Sequence, residues 1–217
     1  MIAHVNGVEL YYEKTGSGRP LLMLHGNGED HTIFREAAAK LSRRYSCYVL
    51  DSRGHGRSTR VAPLHYRDMA ADVLDFLEAY GLQDVLLYGF SDGGIVALMA
   101  AARSHRVGTL VVSGANLTPG GVKPGMGLMI RAMARLKKDP KWELMAREPD
   151  MDEAELRRIT AKTLVLAGSG DLIREKETRR IAAAIPGAQL RILDGEDHGS
   201  YIVHSEKIAD LILDFDA

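Results

Sequence analysis

The sequence predicts an α/β fold with a mostly parallel central sheet flanked by helices. Three observations carry that expectation. Short apolar runs recur without alternation, the stretches between them switch to a helical period, and the chain opens on an Asn-Gly turn between two β-prone runs. Unalternated runs suit strands covered on both faces, as in a parallel sheet between helix layers. At 217 residues, against a prior of about 150 per domain, residues 1–217 are expected to form a single domain.

Taken in order, Ile2-Ala3-His4-Val5 and Val8-Glu9-Leu10-Tyr11-Tyr12 flank Asn6-Gly7. A tight primed turn wants positive φ at both central residues, so this start reads as a β-hairpin. Core strands are expected at Leu21–Leu24, Cys47–Leu50, Val85–Tyr88, Leu110–Val112 and Leu164–Leu166, with a weaker sixth at Gln189–Leu193. Between them, Tyr66, Met69, Ala70, Val73, Leu77 and Tyr80 recur at three- and four-residue steps, ending at Gly81, a natural C-cap. Ile33, Phe34, Ala37, Ala38 and Leu41 do the same, and Ile95 to Ala102 is apolar on nearly every side, as a buried helix would be. A last stripe holds Ile208, Leu211, Ile212 and Phe215. Hairpin first, then alternating strand and helix, is the α/β pattern.

One stretch, from about Ala115 to Ile159, breaks the rhythm. It opens with the turn-rich Thr118 to Gly125, continues as a helix carrying Met126, Met129, Ile130, Met133 and Leu136, and ends that helix near Asp139-Pro140. We read it as an insertion at about 115–159 forming a short helical cap. Met126, Met129 and Met133 are its expected contribution to a substrate pocket, because thioethers adapt to irregular apolar ligands.

Composition bounds the function classes. Lys and Arg number 28 and Asp and Glu 29, a formal charge of −1, so no net field favours nucleic acid or an anionic membrane. Neither partner is expected. The single cysteine, Cys47, excludes an intrachain disulfide framework and fits a reducing compartment. No secretory signal opens the chain, and its longest apolar run falls far short of the roughly 20 residues needed to span a bilayer. A cytoplasmic location is the expectation. No Cys/His cluster or metal-ligand spacing is present, so no metal is expected, and no P-loop or G-x-G-x-x-G occurs. Arg131, Arg135, Lys137 and Lys138 read as a solvated helix face.

The chemistry lies in Gly89-Phe90-Ser91-Asp92-Gly93, a G-x-S-x-G directly after one expected strand and directly before the buried helix. A sharp strand-to-helix turn would hold Ser91 with its hydroxyl above the sheet, and glycines on either side remove side chains that would collide. Asp171 follows the Leu164 strand and His198 follows the Gln189 strand, so the chain order is Ser, Asp, His, as this elbow requires. Glu196 and Asp197 compete with Asp171 as partners of His198. Leu24-His25-Gly26-Asn27-Gly28 leaves the first core strand, where a glycine-rich exit can offer an N–H to an oxyanion.

Together with Asp51-Ser52-Arg53-Gly54-His55-Gly56-Arg57-Ser58, these pieces resemble the α/β-hydrolase fold superfamily over essentially the whole length. The Ser91 to Gly94 elbow is similar to that of its valacyclovir-hydrolase-like branch and of related small bacterial hydrolases. The resemblance implies an opening hairpin, a mostly parallel sheet and a serine hydrolase that needs no cofactor. Ser91 is then the nucleophile, His198 the general base and acid, and Asp171 the orienting carboxylate. The backbone N–H groups of Asn27 and Asp92 form the oxyanion hole, and the substrate is a small carboxylic ester. Two readings stand for the Asp92 side chain: bonded to neighbouring backbone away from the site, or facing it and attracting a cationic group such as an amine. The same scaffold also hosts thioester, lactone, amide and carbon–carbon bond hydrolysis, perhydrolysis, and non-catalytic ligand sensors. The natural substrate and oligomeric state are not legible.

Overall fold

A computed structural model describes residues 1–217. The hairpin forms as β1 (Ile2–Val5) and β2 (Val8–Thr15), with Asn6 and Gly7 both at positive φ. Then come β3 (Arg19–Leu24), a 3-10 turn at His31–Phe34, α1 (Arg35–Leu41), β4 (Tyr45–Leu50) and α2 (Tyr66–Ala79). These are followed by β5 (Val85–Phe90), α3 (Asp92–Ala101) and β6 (Val107–Ser113). Between β6 and β7 (Lys162–Gly168) lie α4 (Pro124–Lys137), α5 (Pro140–Arg147) and α6 (Glu153–Leu156). The chain closes with α7 (Glu175–Ala184), β8 (Gln189–Leu193) and α8 (Lys207–Phe215).

All strands join one sheet in the order β1-β2-β4-β3-β5-β6-β7-β8. Every pairing from β4 to β8 is parallel, and the hairpin adds an antiparallel edge. Period-two alternation sorts the strand side chains into two cores. On β5, Leu86 and Tyr88 pack with α1 and α8, while Val85 and Leu87 pack with α2, α3 and α7. All ten residues of α3 are buried, which explains its lack of any polar stripe. Its Ile95, Val96 and Leu98 each contribute roughly 1.5–3 kcal/mol relative to exposure. No helix is long and apolar enough to cross a membrane.

This topology places the site. Because β3 lies between β4 and β5, the connections leaving β3 and β5 run apart, and their carboxyl ends border a crevice. Ligands of open α/β sheets bind at such a switch point. The exits of β6, β7 and β8 extend its rim on one side. The helical stretch between β6 and β7 is tied down by Lys123 N–H donating to Leu172 O at 2.8 Å and Leu117 N–H to Glu177 Oε1 at 2.9 Å.

Candidate active site

Ser91 alone makes the turn from β5 to α3, at φ 54° and ψ −117°. Such a conformation costs a side-chain-bearing residue about 1–3 kcal/mol, and the surroundings hold it there. Ser91 N–H donates to Ser113 O at 2.8 Å, and Ser91 O accepts the N–H groups of Gly94 and Ile95. Two glycines make the turn possible by close approach: a Cβ on Gly89 would overlap Gly93 O, and one on Gly93 would overlap Leu24 O at the end of β3.

Asp171 and His198 arrive on the loops leaving β7 and β8. These loops are stitched together by Gly170 N–H donating to Glu196 O and Ser169 N–H to Leu193 O, both at 2.9 Å. His198 Nδ1 lies 2.7 Å from Asp171 Oδ1, and His198 Nε2 lies 3.0 Å from Ser91 Oγ. Asp171 is buried, and its Oδ1 also accepts Ile173 N–H at 2.8 Å, fixing the carboxylate. The competing carboxylates point elsewhere. Glu196 bonds Ser200 Oγ and Lys207 Nζ, and Asp197 Oδ1 accepts the N–H groups of Gly199 and Ser200. A hydroxyl, an imidazole and a carboxylate in this chain can pass the hydroxyl proton to the ring while the carboxylate balances the charge.

The loop leaving β3 is held from below by His25, whose Nδ1 is 2.7 Å from Gly26 O while its Nε2 accepts Ser52 N–H at 3.0 Å. Burial pushes the His25 ring toward its neutral form, which suits that bonding. Neither Asn27 nor Asp92 donates its backbone N–H to another backbone carbonyl. The Asn27 side chain instead donates to Lys141 O in α5 at 3.0 Å. Glu29, unremarked in the sequence, closes this turn: its Oε2 accepts Gly26 N–H at 2.9 Å.

A cavity of about 80 Å³ opens beside Ser91 and His198, bordered by Tyr66, Asp92, Asn116, Glu148 and apolar groups from α4, α5 and the loop after β7. At about 30 Å³ of liquid volume per water, it has room for an acyl group of a few heavy atoms. Met126 lines it, but Met129 and Met133 do not: Met129 is exposed on α4 and Met133 half-buried. The helical phase is the reason. α4 turns Ile130, four residues on from Met126, toward the body, and α5 supplies Met145. Ile130 belonged to the same sequence stripe and was within reach of the pattern. Tyr66 and Glu148, far from Ser91 in sequence, carried no signal.

Asp92 faces this cavity rather than solvent, and its Oδ2 is buried without a hydrogen-bond partner. Burial raises its carboxyl to about 6, against the opposing pull of Tyr66, Asn27 and His198. Glu148 accepts Tyr66 N–H at 3.1 Å and pairs with His65 at 2.6 Å. The cavity therefore carries two carboxylates and neither a lysine nor an arginine.

Two other features lie away from this crevice. An open groove of about 440 Å³ runs between β2 and α1 and includes none of Ser91, Asp171 or His198. Near it, Asp30, His31 and Asp51 come within ligand distance of one another. Their atoms are engaged in holding loops: Asp30 Oδ1 accepts Thr32 N–H, Asp51 Oδ1 meets His31 N–H and Nδ1, and Asp51 Oδ2 accepts Arg57 N–H.

Residues 19–150 match the family model of the alpha/beta hydrolase fold, and the chain belongs to that family. Human serine hydrolase BPHL is 38% identical over 121 residues, covering 52% of this chain and 41% of that protein. A putative carbamate hydrolase, RutD from Azorhizobium caulinodans, is 34% identical over 112 residues, 51% of this chain and 42% of its own length. The matched part thus spans about two fifths of these relatives. An esterase from Exiguobacterium antarcticum, EaEST, superposes with a TM-score of 0.87 at 21% identity, covering 100% of this chain and 99% of that one. At that identity the likeness concerns the fold.

Proposed function

We propose that this protein is a serine hydrolase that cleaves a small carboxylic ester through an acyl-enzyme on Ser91. The observation that carries the reading is the unbroken hydrogen-bond chain from Asp171 through His198 to Ser91 Oγ. Ser91 Oγ attacks the carbonyl carbon while His198 Nε2 takes its proton, and Asp171 stabilises the imidazolium. The N–H groups of Asn27 and Asp92 receive the oxyanion, with Asp92 at the N-terminus of α3, where the helix dipole favours negative charge. Collapse breaks the acyl–oxygen bond, and the alcohol leaves with the proton from His198. A water then gives a proton to His198, attacks the acyl carbon, and frees the acid and Ser91. In this reading α4 to α6 form a cap whose Met126, Ile130 and Met145 cover the acyl group. The hydrolase names of the partial relatives support the reaction class.

The two cavity carboxylates favour the second reading of Asp92, an acyl group bearing a positive charge. On a panel of short esters, a neutral acyl and its aminoacyl counterpart should both be cleaved, the aminoacyl ester with the higher kcat/KM. Because Asp92 titrates near 6, the ratio of the two kcat/KM values should rise as pH increases from about 5 to 7. Over that window the substrate amine stays protonated, and the His198 contribution, common to both substrates, cancels. Asp92→Asn should flatten the ratio and lower it by about 10-fold, the size of one modest charge contact. An unchanged ratio in that variant would show that the carboxylate does not read charge. No turnover of any ester by the wild-type chain would remove the ester assignment itself.

A further inference from the structure

We propose that α4 docks this protein onto an anionic phospholipid surface. The helix has two apolar faces. Met126 and Ile130 turn toward the body. Leu128, Ala132 and Leu136, at successive steps of four, form a second stripe that faces solvent, with Met129 beside it. Leu128 is 65% exposed and Leu136 78%, the two most exposed large hydrophobic side chains of the chain. No element of the chain covers them. A scattered exposed leucine needs no explanation, but a continuous stripe on one helix marks an interaction surface.

Charge identifies the partner. From Pro119 to Lys138 the chain carries five cations, Lys123, Arg131, Arg135, Lys137 and Lys138, and no carboxylate. None of the five is paired with an acid. The whole chain stands at −1, so the rest of the molecule is net acidic and the near-zero total conceals a basic end. On the helical wheel Arg131 and Arg135 lie together along one side of the apolar stripe, next to Leu128. Leucines on one face and unpaired arginines beside them form the pattern of a helix that lies in a lipid interface, apolar side in the acyl boundary and cations among the headgroups.

The alternatives fit less well. Two copies meeting through α4 would bring like charges together across an isologous contact. A protein groove needs a complementary surface of about 800 Å² per partner, whereas this stripe is a narrow convex ridge, which a deformable lipid surface accepts without shape matching. Position adds to the case. Leu172, 38% exposed, lines the Ser91 cavity and lies against the start of α4 through Lys123 N–H, so a docked α4 sets the crevice near the lipid boundary. The docking itself does not depend on the chemistry at Ser91.

Co-sedimentation of the full chain with vesicles tests this without turnover. With equal parts phosphatidylcholine and phosphatidylglycerol, the partition coefficient should exceed that for phosphatidylcholine alone by about 10-fold or more, and fall steeply with added salt. Arg131→Glu with Arg135→Glu should abolish the difference. Leu128→Ser with Leu136→Ser should lower binding to anionic vesicles by about 10-fold while leaving the thermal melt within a degree or so and turnover of a soluble ester unchanged, since these side chains are mostly exposed and do not line the Ser91 cavity. Full retention of binding in the leucine variant would overturn the proposal, because headgroup attraction alone does not use the stripe. Wild-type protein that stays in the supernatant with both vesicles would overturn it as well and leave the stripe to an acidic protein. A concentration-dependent dimer lost in the leucine variant would assign the stripe to a second copy instead.

Discussion

Ser91→Ala is expected to lower kcat on a small ester by about three to six orders of magnitude, with little change in KM. The reasoning is specific to this site. The hydroxyl is 3.0 Å from His198 Nε2, and no other hydroxyl on the cavity wall has an imidazole base in contact. Alanine keeps the Cβ, so the backbone strain at φ 54° and the packing under the turn stay as they are. The thermal melt should be unchanged within a degree or so, which separates lost chemistry from lost structure. Steady-state kinetics with a burst measurement check it. Residual turnover within about 10-fold of the parent would mean the ester is cleaved by another group.

Asp171→Asn is expected to cost about four orders of magnitude in kcat, the scale seen when a buried triad carboxylate becomes an amide. Asp171 Oδ1 accepts from both His198 Nδ1 and Ile173 N–H, and Oδ2 is buried with no partner. An asparagine that keeps its oxygen toward His198 leaves its NH2 buried and unpaired, at about 1–3 kcal/mol. Flipped, it donates to Nδ1 and forces the ring to present a proton toward Ser91, the wrong tautomer for a base. Either way the imidazolium loses its counter-charge. Asp197→Asn is the matching control: that carboxylate caps Gly199 and Ser200, and its loss should leave kcat within a few-fold. If the two variants swapped effects, the orienting carboxylate would be Asp197.

Much of this arrangement was legible from local pattern. The apolar runs became β3 to β8, the Asn6-Gly7 turn became the hairpin, and the helix ending before Gly81 ends at Ala79, with Gly81 at φ 61°. These features depend on neighbours within a few residues. α7 went unread because its polar stretch Glu175 to Arg180 masks a buried stripe of Thr178, Ile181 and Ala182. Strand order was beyond reach, since it is decided by packing between distant segments. The Ser, Asp and His positions could be read because the elbow and the two strand exits have local signatures. Tyr66 and Glu148 could not, being brought to the crevice only by the tertiary fold, and Glu29, only three residues from the Gly26 N–H it accepts, belongs to no motif that marks it. Met129 and Met133 were misjudged for a related reason: a period of 3.6 allows two faces on α4, and only its seating on the body selects Ile130 over its neighbours. Net charge is a coarse guide for the same reason, because a sum over the chain cannot register where on the molecule the cations lie.

The central claim is that Ser91 is an activated nucleophile, and covalent labelling tests it most directly. A fluorophosphonate probe requires a hydroxyl deprotonated by an adjacent base and an oxyanion site for its phosphoryl oxygen. Incubated with the wild-type chain and mapped by peptide mass, the probe should add once, on Ser91, and should not add when His198 is replaced by alanine. Labelling at another serine, or no labelling of a chain that still turns over esters, would contradict the account.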